Sequence, residues 1–418
     1  MKATRGSESE LSHHTFALIL AGGNGTRLGD LTRWQCKPAI PFAGHFRNID
    51  FTLSNCVNSG MKRIAVLTQY KAHSLIAHLQ AGWSFLPRAL GEFVEVWPAQ
   101  QRLHKGWYSG TADAVYQNLD LMLAQGSRYT LVLAGDHIYK MDYRRLLDHH
   151  ARSGAGVTVG CVPIPVESAG SFGVLGVDAD GRVRSFIEKP APSTLGPVTP
   201  SSVLGSMGIY VFTTDYLVEL LTRDADATES AHDFGRDILP QAVRDGCAVA
   251  HLFLDANGEP GYWRDVGTLD SYWQAHMELL HPCPSLDLYD MDWPIRTLAE
   301  ASPPAKLADD GVRRSSVSSS LLAAGTVVGA ATIAHSVLST NVRVGDGTTL
   351  EEAVVLPNAR IGANCRLRRV IVDAGAVIPD GTVIGWQPPS AIERVGGPPR
   401  VALIAADATG PKDFRSVA

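Results

Sequence analysis

The last quarter of this 418-residue chain constrains its fold more than any other segment. Aliphatic residues return there at steps of five or six residues, with few helix formers between them, and some are followed by glycine, as in Val328-Gly329, Val344-Gly345, Ile361-Gly362 and Ile384-Gly385. A six-residue period is typical of a β-solenoid, in which each short strand is one side of a coil and points its aliphatic side chain inward. The repeat therefore predicts a solenoid, with an irregular β domain of chance spacing as the alternative.

The first two thirds of the chain have a different pattern. Short apolar runs bounded by turn residues predict strands at 15–21, 63–68, 129–134, 157–162 and 209–212. Between them, apolar residues at three- and four-residue steps predict a helix from an N-cap at Thr111 to Met122, and Thr268 predicts the cap of another. Strands that alternate with helices indicate an α/β domain with a mostly parallel sheet.

A proline-rich stretch separates these two patterns. Five prolines lie between 282 and 306, which disfavours both helix and central strand. We therefore predict four segments: a flexible N-terminus at 1–14, an α/β domain at 15–281, a linker at 282–310, and the solenoid with a C-terminal tail at 311–418.

Charge and hydropathy argue against two classes of partner. The formal net charge is −5 and the pI is about 6.3, so no broad basic face for nucleic acid is expected. Residues 1–14 are polar, and the apolar run at 16–21 is too short to span a bilayer. We expect a cytoplasmic protein that binds neither nucleic acid nor membrane.

The six cysteines show no metal-binding or disulfide pattern. They are scattered without a Cys-x-x-Cys pair or a histidine at zinc-finger spacing. Reduced, buried thiols are the expected state of Cys36, Cys56, Cys161, Cys247, Cys283 and Cys365.

A glycine-rich turn follows the first predicted strand, where a helix would begin. Its sequence is Ala21-Gly22-Gly23-Asn24-Gly25-Thr26-Arg27-Leu28. Backbone amides in such a turn can bind phosphate, and the arginine adds a cation with several donors. Two common glycine loops are excluded, because Leu28 takes the third-glycine place of the dinucleotide fingerprint and no Gly-Lys-Ser/Thr of a P-loop follows.

Charged residues recur at the ends of other predicted elements. Lys37-Pro38 follows the glycine turn, and Asp136 stands at the carboxyl end of a strand, where open α/β sheets bind ligands. Asp136 is therefore a candidate metal ligand. Glu188, Lys189 and Asp265 come later, and any of these charges taken alone is equally typical of a surface salt bridge.

Together these segments resemble bacterial ADP-glucose pyrophosphorylases from about Phe16 to the end of the solenoid. The motifs that carry the resemblance, in order, are the glycine turn with Arg27, Lys37-Pro38, Trp107-Tyr108 with Gly110-Thr111-Ala112-Asp113, Gly135-Asp136-His137, Glu188-Lys189-Pro190, Ser206-Met207-Gly208 and Trp263-Arg264-Asp265. The resemblance implies a Rossmann-like nucleotidyltransferase domain with a mostly parallel mixed sheet, followed by a left-handed parallel β-helix. It also implies a homotetramer that makes ADP-glucose from ATP and α-D-glucose 1-phosphate for glycogen synthesis.

The resemblance also implies residue roles. Catalysis is expected from Arg27, Asp136, Lys189 and Asp265, with Mg²⁺ held by the two aspartates. Nucleotide binding is expected from Gly22, Gly23, Gly25, Thr26, Lys37, Gln101, Tyr108 and Gly110. Sugar-phosphate binding is expected from Gly173, Glu188, Lys189 and Ser206.

The sequence departs from the family pattern at sites linked to regulation. Trp34-Gln35-Cys36 stands where regulated members often carry basic residues, and Ser109 replaces a frequent arginine. An allosteric effector of unknown identity is still expected, with an anion site around Arg47, Arg394 and Arg400. Two other functions stay open: a thymidylyl- or uridylyltransferase acting on the same sugar phosphate, and a noncatalytic regulatory subunit.

Overall fold

A computed structural model describes residues 10–23, 25–100, 107–191, 194, 202–386 and 401–406. Gln101, Arg394 and Arg400, which the sequence assigns to binding sites, lie outside these residues, as does most of the predicted flexible N-terminus. No helix in the described part of the chain combines the length and the apolar character needed to cross a bilayer.

The first domain carries strands β1–β13 and helices α1–α8. The strands are Thr15–Leu20, Pro41–Phe42, Phe46–Arg47, Arg63–Thr68, Phe93–Pro98, Tyr129–Ala134, His137–Tyr139, Val157–Pro165, Gly173–Val177, Val183–Glu188, Ser202–Thr213, Ala248–Leu252 and Trp263–Asp265. The α-helices are Asn48–Asn58, His73–Gly82, Thr111–Tyr116, Leu119–Leu123, Tyr143–Ser153, Thr214–Ala225, Leu239–Arg244 and Leu269–Glu278, with a further helical turn at 10–13.

One mixed sheet organises this domain. Its main path runs β10-β9-β11-β6-β1-β4-β5, and β8 and β12 continue from β11. The neighbours β6, β1, β4 and β5 are parallel, whereas β11 is antiparallel to β6, β8 and β9. The predicted α/β fold with a mixed sheet is confirmed. Because β1 and β6 are parallel and adjacent, the segments that follow them emerge at the same edge of the sheet.

Of the two predicted helix caps, Thr268 is confirmed and Thr111 is wrong. Thr268 caps α8, since its side chain accepts a hydrogen bond from the Ser271 amide. Thr111 does not cap α3; Gly110 is the N-cap, and the Thr111 hydroxyl bonds to Asp233 instead.

The single helix predicted at 111–122 is also wrong, because the chain breaks between α3 and α4. Asn118 is not helical there, and its side-chain amide donates to the Ala114 carbonyl and the Tyr108 hydroxyl. Side-chain bonds of this kind compete with the helical ladder.

The second domain is the predicted left-handed parallel β-helix. Its strands β14–β28 are Lys306–Leu307, Ser316–Ser318, Leu321–Leu322, Val327–Val328, Thr332–Ala334, Val337–Leu338, Arg343–Val344, Thr349–Glu351, Val354–Val355, Arg360–Ile361, Arg366–Arg368, Val370–Val372, Val377–Ile378, Val383–Ile384 and Ala402–Ile404. They form three parallel sheets of five strands each. Left-handed backbone conformations recur at equivalent corners, as at His335, Glu352 and Arg369, which lie one coil apart. The first of these strands lies inside the range predicted to be a linker.

A shared hydrophobic cluster joins the two domains. Phe42 and Trp273 of the first domain belong to the same buried cluster as Val354 and Ile371 of the β-helix. The Trp273 indole also donates a 2.8 Å hydrogen bond to the Glu352 carbonyl. Helix α8 therefore connects the end of β13 directly to the β-helix.

The cysteines are free thiols, as predicted, but not all are buried. Four lie in the core, whereas Cys247 is half-buried and Cys283 is exposed.

Candidate active site

The glycine-rich turn lies at the carboxyl end of the central strand β1. Gly25 has φ of 61°, and a Cβ atom there would approach the Thr32 methyl group to 2.8 Å, so glycine is required. The Gly25 carbonyl accepts a 3.0 Å bond from the Thr32 hydroxyl, which fixes the turn as it enters a 3-10 helix at Thr26–Thr32. The described residues of the turn are thus held at the ligand-binding edge of the sheet.

Two aspartates from distant parts of the chain meet beside this edge. Asp136 follows β6, and Asp265 ends β13, which pairs antiparallel with β7 so that Asp265 lies opposite His137. Potential ligand atoms of Asp136, His137 and Asp265 all lie within 4.8 Å of one another. The fold therefore assembles an acidic cluster where the sequence predicted a metal site.

Lys37 lies between the two carboxylates. Its Nζ is 2.8 Å from Asp136 Oδ2 and 2.5 Å from Asp265 Oδ1, and its side chain is only 8% exposed. Burial by itself would lower the pKa of Lys37, but the two carboxylates outweigh it and raise that pKa above its usual value. Burial would likewise raise the pKa of Asp136, yet Lys37 holds it below its usual range. Lys37 and Asp136 are therefore both charged at neutral pH.

The cluster suits a divalent cation. Two carboxylates supply the oxygen ligands that Mg²⁺ prefers, and at present they share the ammonium charge of Lys37. His137 adds a neutral imidazole, because burial lowers its pKa, and its Nδ1 is buried without a partner among the described residues. Sequence analysis quoted His137 in a motif but gave it no role; its position next to Asp136 was the available signal.

Arg27 approaches the same cluster from the glycine turn. Its Nη2 lies 3.7 Å from Asp265 Oδ2, and its side chain is 53% exposed. An exposed guanidinium on a long side chain can turn toward a bound phosphate at small cost.

A second group of predicted residues lies on β9 and β10. Glu188 pairs with Gly173 across these strands, and the Lys189 ammonium lies 2.8 Å from Glu188 Oε1. Lys189 has φ of 47°, so the backbone turns immediately after the strand. A Cβ atom on Gly235 would lie 2.4 Å from Glu188 Oε2, which means that this glycine leaves room for the carboxylate.

Ser206 occupies an irregular part of β11. The register of β11 against β8 shifts between Ser206 and Tyr210, and the Ser206 hydroxyl lies 3.2 Å from that of Tyr210. Gly208 within this bulge packs against His137, since a Cβ atom on it would lie 3.4 Å from the imidazole. The bulge that contains Ser206 thus contacts His137 of the acidic cluster through Gly208.

Tyr108 is tied to the glycine turn through Gln69. The Tyr108 amide donates to Gln69 Oε1 at 2.5 Å, and the side chain of Gln69 contacts Gly22, where a Cβ atom would be 3.3 Å away. Gly110 cannot be replaced without movement, because its Cβ would lie 2.2 Å from the His232 carbonyl oxygen. Sequence analysis missed Gln69, since nothing near it marks a contact with a residue 39 positions away.

Arg47 supports the segment that carries Lys37. Its Nη1 donates to the Ala39 carbonyl at 3.2 Å, and the neighbouring Asn48 side chain donates to the Lys37 carbonyl at 3.0 Å. Arg47 is partly buried, which lowers its pKa while leaving it charged. Its proposed partners Arg394 and Arg400 lie outside the described residues.

In comparisons with known proteins, two family models match separate parts of the chain. The family model described as "Nucleotidyl transferase" matches residues 16–281, and "GlmU-like, C-terminal hexapeptide" matches residues 303–395. A relative from Paraburkholderia phytofirmans, named glucose-1-phosphate adenylyltransferase, is 52% identical over 92% of this chain and 94% of its own. A protein of the same name from Methylobacillus flagellatus is 53% identical, over 90% of each chain.

Proposed function

Because this chain belongs to the glucose-1-phosphate adenylyltransferase family of nucleotidyltransferases, we propose that it transfers the adenylyl group of ATP to α-D-glucose 1-phosphate and releases pyrophosphate. The observation that carries the proposal is the cluster of Asp136, Lys37 and Asp265 beside the glycine turn. A triphosphate needs both a cation site and backbone amides at one place, and this edge of the sheet offers both.

The proposed reaction is an in-line displacement. A phosphate oxygen of glucose 1-phosphate forms a bond to the α-phosphorus of ATP, the bond from that phosphorus to the bridging oxygen breaks, and pyrophosphate leaves with the electron pair. The substrates supply both nucleophile and leaving group, so the protein contributes alignment and charge neutralisation. Arg27 and the amides of the glycine turn are suited to bind the departing phosphates.

Asp136 and Asp265 would hold Mg²⁺. When bound, the ion would neutralise negative charge on the phosphates as the displacement proceeds. Lys37 then has to leave the carboxylates, because an ammonium within 2.8 Å of both oxygens occupies the place of a shared cation. Its flexible stem begins beside the glycine turn, where a Cβ atom on Gly25 would lie 3.4 Å from Lys37 Cβ. We propose that its ammonium moves to the nucleotide phosphates.

The sugar phosphate is assigned to the second group of residues. Lys189 is half-exposed and carries the charge needed for a phosphate, while Glu188 can accept hydrogen bonds from sugar hydroxyls. Gly173 and Ser206 complete this proposed subsite. Trp263 connects it to the cluster, because its ring packs on both Phe172, next to Gly173, and His137.

Two other functions compete with this proposal. A thymidylyl- or uridylyltransferase would use the same phosphate chemistry with another base, and base choice depends on a few hydrogen bonds. A noncatalytic subunit is disfavoured because every charged group that the proposed chemistry needs is present: Arg27, Lys37, Asp136, Lys189 and Asp265.

The deciding experiment is pyrophosphate release by the purified chain with Mg²⁺ and glucose 1-phosphate. ATP, UTP, dTTP, GTP and CTP are compared in parallel at equal concentration. We expect release with ATP at least about tenfold faster than with any other nucleotide. Preference for dTTP or UTP would retain the mechanism and replace the substrate; absence of release with all five would favour the noncatalytic subunit.

Four further properties remain predictions that follow from the family. They are a role in glycogen synthesis, a cytoplasmic location, a homotetramer, and an allosteric effector whose anionic group binds Arg47, Arg394 and Arg400. Light scattering tests the tetramer. Activity measured with and without phosphorylated metabolites, on wild type and Arg394→Ala, tests the effector site.

A further inference from the structure

A pocket beside helix α3 shares no lining residue with the acidic cluster. It has a volume of about 190 Å³ and opens between α3, the end of α6 and the loop at His232. Two carboxylates, of Asp113 and Asp224, and two aromatic rings, of Trp107 and Tyr116, line it, and the lining includes no lysine or arginine from the described residues. Nothing in the adenylyl-transfer reaction uses these groups.

Gln117 leaves an unused acceptor at this pocket. Its side chain lines the pocket, the residue is only 5% exposed, and its Nε2 donates to Asp113 Oδ2 at 2.8 Å. Its Oε1 is buried and has no hydrogen-bond partner among the described residues. A buried acceptor without a partner is unfavourable, and a donor from a bound molecule would remove that cost.

The two carboxylates are fixed in position by neutral donors and one histidine. Asp113 accepts from the amide and the hydroxyl of Ser109, and Asp224 accepts from the Ser230 hydroxyl and faces His232 Nδ1 at 2.8 Å. In the described part of the chain, neither carboxylate forms an ion pair with lysine or arginine. The described residues therefore hold both carboxylates in place and give neither one a lysine or arginine partner, which disfavours anions.

Trp107 adds a recognition surface at the entrance. Its side chain is 70% exposed although it borders the pocket. The face of an indole binds apolar groups and, among aromatic rings, is also the best surface for a nearby cation. Exposed tryptophan is otherwise costly to solvate, so its place beside two carboxylates fits a ligand that is both positively charged and partly apolar.

We propose that this pocket binds a small organic cation with N–H donors, of the guanidinium or alkylammonium class. The charge is placed between Asp113 and Asp224, one N–H donates to Gln117 Oε1, and the alkyl part packs against Trp107. A neutral sugar would satisfy the acceptors but would leave the negative charge of the pocket unmatched. This proposal is independent of the adenylyl-transfer proposal, because none of its residues belongs to the acidic cluster.

Calorimetric titration of the purified full chain with N-ethylguanidinium tests the proposal, with N-ethylurea as the neutral ligand of the same shape. We expect N-ethylguanidinium to bind at least about tenfold more tightly, since hydrogen bonds to charged groups contribute about 1.5–3 kcal/mol. Equal affinity of the two ligands, or tighter binding of glucose than of N-ethylguanidinium, would overturn it.

Three variants locate the binding. Asp224→Asn and Trp107→Ala should each weaken N-ethylguanidinium at least about fivefold, and Trp107 is exposed enough for the fold to tolerate its loss. Ser109→Arg should abolish binding, because the new guanidinium would stand beside Asp113, which already accepts from the Ser109 hydroxyl, and would compete with the ligand. Glu219→Gln, on the same helix as Asp224 but outside the pocket, is the matched control. Binding that is unchanged in Asp224→Asn and Trp107→Ala would place the ligand elsewhere and refute the assignment.

Discussion

The two domains are specified by different kinds of sequence, because the β-helix has a repeat and the first domain has none. In the β-helix, each coil repeats the last, and residues such as Leu350 and Leu367 pair one coil apart with the same inward orientation. In the first domain, the acidic cluster brings together residues 37, 136 and 265, which share no repeat and no element. A repeat can supply many similar contacts, whereas chemistry needs unlike groups at a single point. The comparison predicts that substitutions in the two domains have separable effects on turnover and on stability.

The largest effect on turnover should come from Asp136→Asn. Loss of one of the two carboxylates that would hold Mg²⁺, the ion that neutralises charge on the reacting phosphates, should lower kcat about a thousandfold. The melting temperature should stay near that of wild type, because Lys37 retains Asp265 as a partner. Asp148→Asn, which removes the charge of a half-buried aspartate paired with Arg152, is the control. Near-normal kcat in Asp136→Asn would remove this residue from the metal site and weaken the comparison itself.

A substitution in the β-helix should have the opposite effect, loss of stability without loss of kcat. Leu367 is fully buried, so Leu367→Ala should lower the free energy of unfolding by about 3 kcal/mol through lost burial and a cavity. Val377→Ala, whose side chain is 71% exposed in the same domain, should cost far less. Urea denaturation measures both, and kcat per folded molecule should not change. A large loss of kcat without loss of stability would show that the β-helix takes part in the reaction.

A third variant separates binding from chemistry within the first domain. Lys189→Ala should raise KM for glucose 1-phosphate about thirtyfold or more, since a charged hydrogen bond to phosphate contributes about 2 kcal/mol. The effect on kcat should be smaller than that on KM. Lys62→Ala, which removes an ammonium paired with Glu92, serves as the control. Steady-state kinetics in which KM stays constant would exclude Lys189 from the sugar-phosphate site.

Lys37→Met tests the proposed exchange of cations. Without the ammonium, the carboxylates of Asp136 and Asp265 should bind free Mn²⁺ about tenfold more tightly in the absence of nucleotide, as removing a competitor worth about 1.4 kcal/mol would. Electron paramagnetic resonance of free Mn²⁺ measures this directly, while kcat should fall. An affinity equal to that of wild type would mean that Lys37 does not compete with the metal ion.

The smallest effect concerns pH and the contact between the domains. Burial lowers the pKa of His276 to about 4, and its Nε2 accepts from the Ala43 amide. A histidine with a lowered pKa contributes stability that is complete above about pH 6.5 and is lost as pH falls toward 4. The contribution of His276 to the free energy of unfolding should therefore drop by about 1–2 kcal/mol between pH 7 and 5, and the total drop should be smaller by that amount in His276→Gln. His335 is exposed, so His335→Gln should leave the dependence of the unfolding free energy on pH as in wild type.

The sequence alone predicted the secondary-structure elements better than the tertiary contacts between them. The strands at 63–68 and 129–134 match β4 and β6, because a short apolar run between turns contains its own information. The pairing of Asp265 with His137 depends on an antiparallel register between segments 128 positions apart, which no local pattern encodes. The same is true of Lys37, whose sequence neighbours gave no sign of two carboxylate partners.

The helix break at Asn118 shows a different limit. Apolar spacing across 111–122 is consistent with one helix, and it does describe which face is buried. The break comes from side-chain bonds to Tyr108 and Ala114, and the first of these forms only once the chain has folded. Periodicity reports burial, whereas a polar side chain with an alternative partner decides where the helix ends.

The hydrophobic cluster shared by the two domains limits how they can be exchanged by recombination. A chimera that joins this first domain to another β-helix must also exchange the surface of α8 around Trp273 and the hairpin around Phe42, or it will leave an apolar face open to water. Phe42 lies five residues from Lys37, and α8 begins four residues after Asp265. The seam between the domains and the proposed active site therefore occupy overlapping stretches of the gene, so recombination cannot easily alter one and leave the other intact.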